Sequence, residues 1–147
     1  MKLLIINGPN LNMLGIREPD LYGTLTYDGL VEYVAAEARR LGVEAEFYQS
    51  NHEGDLVTAI QQAYGRMDGI VINAGAYTHT SIAILDALKA VALPAVEVHL
   101  SDINERETFR HISYPAMACI AQIKGKGFAG YEEAILLLKE YVQGHRA

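Results

Sequence analysis

The stretch Leu3-Leu4-Ile5-Ile6, followed directly by Asn7-Gly8-Pro9-Asn10, decides the fold of this chain. Four consecutive apolar residues that stop at a turn composition are typical of a strand buried on both faces of a sheet. Similar apolar runs recur four more times, so we expect five strands. They are predicted at residues 3–7, 43–49, 69–73, 95–100 and 118–124.

Segments with the spacing of an amphipathic helix separate these runs. Gly42 follows the first of them as an expected C-cap, and Pro94 ends the region after the third. A shorter helix is expected to begin at Asp102, because Glu105 follows three residues later in a capping-box spacing. The four long helices are predicted at residues 27–41, 55–67, 81–91 and 131–142.

The regular alternation of strands and helices indicates a parallel sheet that helices cover on both faces. Five strands in 147 residues predict one α/β domain over residues 1–147, with a flavodoxin-like sheet of strand order 2-1-3-4-5. In such sheets ligands bind at the carboxyl ends of the strands, where the strand order reverses. The loops after strands one, three and four are therefore the places to look for a site.

The bulk composition limits the class of partner. The chain is 50% hydrophobic and 20% charged with a net charge of −6, which argues against binding to nucleic acid. The lone cysteine, Cys119, lies in an apolar run and is expected to be a buried structural thiol. The first apolar run is too short for a signal peptide or a membrane span, so we expect a cytoplasmic protein with no membrane contact.

The loop after the first strand carries Asn10 and, further along, Arg17 and Tyr22. A free tyrosine has a pKa of about 10 and is a poor base near neutral pH. A guanidinium fixed beside it favours the phenolate and lowers that pKa. The pair is therefore a candidate general base, although the same residues also suit an ordinary surface loop.

The end of the fourth strand carries a carboxylate and an imidazole. Strand alternation places Glu97 and His99 on one side of the sheet, where the carboxylate favours the protonated imidazole that a general acid requires. The backbone N–H groups of Leu100 and Ser101 precede the helix expected at Asp102, which is a favourable position for an anion.

Other polar residues near these strand ends have structural as well as functional interpretations. Asn73 can simply end its strand, and Arg110 can be a solvated charge near a helix end. His79 and Asp86 differ by about 20° around a helix, so they form either an exposed polar stripe or two groups aimed at one site. A strand-end histidine such as His99 is more often structural than catalytic. The convergence of so many polar groups on one edge of the sheet favours a site.

Several common site motifs do not occur in the sequence. There is no GxGxxG or P-loop motif for a nucleotide and no GxSxG motif for a serine hydrolase. The histidines lack the spacing typical of metal ligands, so we expect no metal site.

Six blocks occur in a fixed order: Leu-Ile-Ile-Asn7-Gly-Pro-Asn10-Leu-Asn12, Arg17-Glu-Pro-Asp-Leu-Tyr22-Gly23, Gln49-Ser-Asn-His-Glu-Gly-Asp55, Asn73-Ala-Gly-Ala-Tyr-Thr-His79-Thr-Ser81, Glu97-Val-His99-Leu-Ser101 and Phe109-Arg110-His111. In these blocks the chain closely resembles the type II 3-dehydroquinate dehydratases over nearly its whole length. Together the blocks are highly specific. Two departures are Ala74, where the family often has Pro, and Leu85, where Arg is frequent. Residues 101–107 also vary from the commoner pattern.

The resemblance implies dehydration of 3-dehydroquinate to 3-dehydroshikimate in the shikimate pathway, through an enolate and without a Schiff base, metal or other cofactor. It implies that Tyr22 is the base at C2 and that Arg17 holds it as the phenolate. His99, paired with Glu97, would protonate the departing C1 hydroxyl. Asn10 would position the water that stabilises the enolate.

The resemblance also implies a substrate-binding set and an oligomer. Asp86 would reach the site of a neighbouring subunit in a homododecamer built from trimers. Residues 19–23 would close over the substrate as a lid. The groups that would bind the substrate are Asn73, Leu100 and Ser101 for its carboxylate, and His79 and Arg110 for its ring hydroxyls.

Two other interpretations are open at this point. One is a flavodoxin-like small-molecule-binding module without catalysis, since a fold does not fix a function. It predicts ligand binding without conversion and no need for Tyr22 or His99. The other is an enzyme on the same scaffold that acts on a related hydroxylated carboxylate, and substrate competition would separate that case.

Overall fold

A computed structural model describes residues 1–16 and 25–145 of the chain. Its sheet has five parallel strands in the order β2-β1-β3-β4-β5, which confirms the predicted topology. The strands are Lys2–Asn7 (β1), Glu44–Gln49 (β2), Gly69–Asn73 (β3), Ala95–His99 (β4) and Ala121–Lys124 (β5).

Four α-helices connect or follow these strands, and side chains and glycine define several of their ends. The helices are Tyr27–Arg40 (α1), Glu53–Ala63 (α2), Ile82–Val91 (α3) and Ala129–His145 (α4). The hydroxyl of Ser81 caps α3 by accepting the Ile84 N–H at 3.0 Å. Gly42, at a φ of 72°, ends α1 in a Schellman motif, because its N–H donates to Arg39 and the next N–H donates to Ala38.

The two faces of the sheet bury separate cores, and alternate residues of each strand supply them. Leu3 and Ile5 pack with α1 and α4, whereas Leu4 and Ile6 pack with α2 and α3. The buried residues of β3 and β4 divide between the same two cores. Helices on both faces leave the carboxyl edge of the central strands β1, β3 and β4 for polar loops.

The predicted helix at Asp102 is wrong. The segment forms two single 3₁₀ turns, Ile103–Glu105 and Thr108–Arg110. The Asp102 side chain accepts the N–H of Asn104, two residues on, so a local turn replaces the expected capping box. A further 3₁₀ turn, Pro115–Ala118, occupies the predicted start of the last strand, which begins only at residue 121.

The remaining boundaries differ by a few residues. The second helix begins at Glu53 and ends at Ala63, because Tyr64 is extended with a ψ of 127° and Gly65 follows at a φ of 74°. The last helix is longer at both ends than the apolar spacing indicated. Among the described residues, no helix combines the length and hydropathy needed to cross a membrane.

Candidate active site

A cavity opens at the carboxyl edge of the sheet, where the loops after β1, β3 and β4 meet. Seven of the residues predicted for a site line it: Asn10, Asn73, His79, His99, Leu100, Ser101 and Arg110. Glu97 lies behind His99 and is fully buried. Asp86 is exposed on α3 and does not line this cavity. Arg17 and Tyr22 lie outside the described residues.

The loops after β1 and β3 approach each other so closely that glycine is required at two positions. The Gly8 N–H donates to the Asn73 carbonyl at 2.7 Å, and a Cβ at Gly8 would lie 2.3 Å from the Ala74 carbonyl oxygen. Gly75 has a φ of 60°, and a Cβ there would lie 2.8 Å from the Pro9 carbonyl oxygen. This contact fixes one wall of the cavity.

Asn10 lies on a backbone supported by side chains at the end of β2 and just after it. It adopts a left-handed φ of 69°, which asparagine tolerates better than most residues. Its N–H donates to Asn51 Oδ1 at 3.1 Å, and Gln49 donates to the same oxygen at 3.2 Å and to the Gly8 carbonyl at 3.1 Å. The Tyr77 hydroxyl donates to the Asn51 carbonyl. We assigned no role to Gln49 or Asn51 from sequence, although both stand in a matching block.

Glu97 and His99 lie on the same side of the sheet, as strand alternation predicted, and both are buried. His99 Nε2 lies 3.2 Å from Glu97 Oε1, and the two side chains are 7% and 0% exposed. Among the described residues His99 Nε2 has no aligned hydrogen-bond partner, so its short contact with Glu97 is not a linear hydrogen bond.

Two further side chains hold the Glu97 carboxylate. The Ser113 hydroxyl donates to Oε1 at 2.5 Å, and the Gln122 amide donates to Oε2 at 2.7 Å. Burial favours the neutral carboxyl and would raise the pKa of Glu97, but His99, Ser113 and Gln122 outweigh it and the pKa is lowered. The carboxylate therefore stays ionised inside the protein. Gln122 lies directly opposite Glu97 in the β4–β5 pairing.

His79 and Arg110 approach the cavity from its other side. His79 Nδ1 lies 2.8 Å from the Ile112 carbonyl, so this nitrogen carries a hydrogen and donates it. Burial is the main reason that the pKa of His79 is lowered, and the charges of His99 and Arg110 act in the same direction. Neutral His79 leaves Nε2 as an acceptor. Arg110 is paired with the Glu107 carboxylate, which holds its guanidinium in place.

Leu100 and Ser101 line the cavity, but the helix expected to follow them is a single 3₁₀ turn. One turn has too few aligned peptides to provide the dipole of a full helix. Beneath the cavity, the Tyr131 hydroxyl contacts the side chains of Asn7 and Asn73. From the sequence, Tyr131 was only the first residue of the last predicted helix. Within residues 1–16 and 25–145, no group of three or more His, Cys, Asp and Glu is arranged to hold a metal ion.

Comparison with known proteins identifies the class to which this architecture belongs. The model of the family described as dehydroquinase class II matches residues 1–139. The 3-dehydroquinate dehydratase of Fusobacterium nucleatum is 54% identical over 144 residues, covering 96% of this chain and 98% of that protein. The corresponding protein of Clostridium acetobutylicum is 53% identical over 139 residues, covering 95% and 96%.

Solved structures agree with this result. The crystal structure of type II dehydroquinase from Butyrivibrio crossotus superposes with a TM-score of 0.92 at 52% identity, covering 95% of this chain and 97% of that one. The enzyme from Propionibacterium acnes gives 0.88 at 40% identity, with 97% and 96% covered. This chain belongs to the dehydroquinase class II family.

Proposed function

We propose that this chain is a hydro-lyase that dehydrates 3-dehydroquinate to 3-dehydroshikimate in the shikimate pathway, through an enolate and without a Schiff base, metal or other cofactor. The observation that carries the proposal is the buried pair of Glu97 and His99, which opens onto a cavity at the switch point of the sheet. Membership of the dehydroquinase class II family supports the same reaction.

The reaction needs a base and an acid at neighbouring carbons. A base removes a proton from C2, and the electron pair of that C–H bond moves toward the C3 carbonyl to give the enolate. The enolate then expels the C1 hydroxyl, which takes a proton and leaves as water. In our proposal Tyr22, as a phenolate beside Arg17, is the base. This assignment rests on the sequence block alone, because both residues lie outside the described part of the chain.

His99 is proposed as the acid. The ionised Glu97, 3.2 Å away, favours the imidazolium form that can give up a proton to the hydroxyl. The low exposure of both side chains keeps water from weakening their interaction. After one turnover Tyr22 carries the proton from C2 and His99 has lost its own, so a proton passes between them to restore the starting state.

The other cavity residues are proposed to hold the substrate. The amide of Asn73 and the backbone N–H groups of Leu100 and Ser101 bind the carboxylate. Neutral His79 accepts a hydrogen bond from a ring hydroxyl, and Arg110, held by its carboxylate partner, donates to another. Asn10, on its supported left-handed backbone, positions a water at the enolate oxygen.

Assembly is proposed to complete the site. Asp86 is exposed on α3, and exposed Ile82 lies one turn earlier on the same face. An apolar residue beside a carboxylate suits a contact in which Asp86 reaches the cavity of a neighbouring subunit. We therefore propose a homododecamer built as a tetramer of trimers, located in the cytoplasm and acting on a small molecule rather than on nucleic acid. Native mass spectrometry measures the oligomer directly.

The test follows the ultraviolet absorbance of the conjugated enone formed from 3-dehydroquinate, with and without borohydride to trap any imine on lysine. We expect enone formation that survives borohydride. Tyr22→Phe should lower kcat by about 100- to 10,000-fold while largely sparing substrate binding. Tyr64→Phe is the matched control, because that tyrosine is 71% exposed.

Full turnover in Tyr22→Phe would remove the tyrosine from the mechanism. Substrate binding by the wild type without any enone would instead favour the binding module.

A further inference from the structure

A chain of polar side chains runs beneath the cavity, and the proposed reaction uses only one of them. Asn73 Nδ2 lies 3.2 Å from the Tyr131 hydroxyl, and that hydroxyl lies 2.6 Å from Asn7 Oδ1. Asn7 Nδ2 lies 3.5 Å from the Tyr27 hydroxyl at the start of α1. Tyr131 is completely buried, and Asn7 and Asn73 are nearly so.

The directions of the hydrogen bonds that join these side chains follow from the contact between Gly75 and Asn73. The backbone N–H of Gly75 can only donate, and it lies 3.2 Å from Asn73 Oδ1. The amide nitrogen of Asn73 must therefore face Tyr131, whose oxygen accepts. The Tyr131 proton then goes to Asn7, in the shortest contact of the chain.

Tyr131 keeps this arrangement over the working pH range. Burial is the main cause that raises the pKa of its hydroxyl, so the group stays neutral and retains its proton. A neutral hydroxyl with its proton committed to Asn7 has only lone pairs to offer Asn73. It therefore reinforces one orientation of that amide and opposes the flipped one.

The orientation matters because Asn73 also lines the cavity. An asparagine amide has two N–H hydrogens, and Tyr131 accepts one of them. The second hydrogen is left for a ligand, whereas a flipped amide would present its carbonyl oxygen and repel an anion.

We propose that Tyr131 is a positioning residue for substrate binding: together with the Gly75 N–H, its hydroxyl holds the Asn73 amide so that an N–H meets the substrate carboxylate. The inference rests on the proposed function, in which Asn73 binds that group. The carboxylate does not react, so its contact is equally strong in the ground state and the transition state. Loss of the hydroxyl should therefore raise KM and spare kcat.

The experiment compares Tyr131→Phe with wild type in the enone assay. We expect KM to rise about tenfold, as loss of one hydrogen bond to a charged group produces, with kcat changed less than about threefold. Tyr33→Phe is the control, because it removes another tyrosine hydroxyl bonded to α4, through Glu132, without touching Asn73. Its KM should stay at the wild-type value.

A double-mutant cycle shows whether Tyr131 acts through Asn73. In the background of Asn73→Ala, the Tyr131→Phe change should add nothing further to KM. Independent, additive effects would overturn the proposal, and so would a wild-type KM in Tyr131→Phe.

If Tyr131→Phe does not fold, Asn7→Leu removes the acceptor of the tyrosine proton and should raise KM in the same way, and an unchanged KM there overturns the proposal. Failure of the proposed function is separate, because the wild type itself would then form no enone.

Discussion

Replacing Gln122 by Met should shift the pH dependence of the reaction, because Gln122 is one of the donors that keep Glu97 ionised. Met has a similar length and volume but offers no N–H to the carboxylate. The substitution removes the 2.7 Å hydrogen bond to Oε2, while Ser113 continues to donate to Oε1. The variant therefore weakens the support of Glu97 without removing its charge.

The expected change in the pKa of Glu97 follows from the strength of the hydrogen bond that is lost. A hydrogen bond to a charged group contributes about 1.5–3 kcal/mol, and 1.36 kcal/mol corresponds to one pKa unit. Gln122 lies on an exposed edge strand, so we take the lower end of this range and expect the pKa of Glu97 to rise toward its ordinary value. A protonated Glu97 no longer presents the charge that holds the His99 side chain, so the acid limb of kcat/KM should move to higher pH.

Gln122→Met should also lower the free energy of unfolding at neutral pH. The folded pKa of Glu97 lies below its ordinary value of 4.5, so its ionisation stabilises the fold above that pH. This stabilisation is lost as the pH falls through the folded pKa. With a smaller depression, Gln122→Met should be less stable than wild type at neutral pH and should differ less from it in strong acid.

The assay is kcat/KM from pH 4 to 8, with the midpoint of urea unfolding measured at the same pH values. Gln61→Met, at an exposed position on α2, is the control for the chemical change itself. Both variants should have nearly wild-type activity at neutral pH, and only Gln122→Met should show the displaced acid limb. Identical acid limbs in the two variants would refute the role of Gln122.

Two further predictions concern packing and reactivity. Gly8→Ala should lower the free energy of unfolding by about 1–3 kcal/mol, because its Cβ would lie 2.3 Å from the Ala74 carbonyl oxygen. Gly54→Ala, a helical position with no atom within 4 Å, should instead raise it by about 0.5–1 kcal/mol. Urea denaturation measures both, and equal effects would contradict the close approach of the two loops. Burial, aided by the charge of Glu97, raises the pKa of Cys119 to about 12. Its alkylation at neutral pH should therefore be roughly 1000-fold slower than that of a thiol with the ordinary value of 9.0. Mass spectrometry of iodoacetamide-treated protein checks this, with urea-unfolded protein as the control, and rapid labelling of the folded protein would contradict it.

Strand order and the pair on β4 were accessible from sequence because both depend on local patterns. Continuous apolar runs separated by helical segments specify a parallel sheet, and right-handed connections limit its order. The period of two along a strand places Glu97 and His99 together without knowledge of any other strand.

The side chains that support the site could not be predicted from the sequence, because their contacts depend on how distant segments pair and pack. Gln122 meets Glu97 only through the pairing of β4 with β5, and Ser113 reaches it from an irregular segment. The helix predicted at residues 131–142 begins at Tyr131 but does not reveal that the tyrosine hydroxyl meets two asparagines. The helix predicted at Asp102 was wrong for a local reason, because the aspartate side chain accepts the N–H of Asn104 in a turn.

The order in which the strands pair has a consequence for synthesis. β1 can pair with β2 soon after residue 49 appears, but the pairing of Asn7 with Asn73 waits for β3. Glu97 waits longer still, because its partner Gln122 belongs to the outermost strand. At about 5–20 residues per second, β5 is made a second or more after β4. A nascent chain that stops before β5 therefore lacks one of the two side chains that donate to the Glu97 carboxylate, and the pair on β4 should gain its full support only with the final strand.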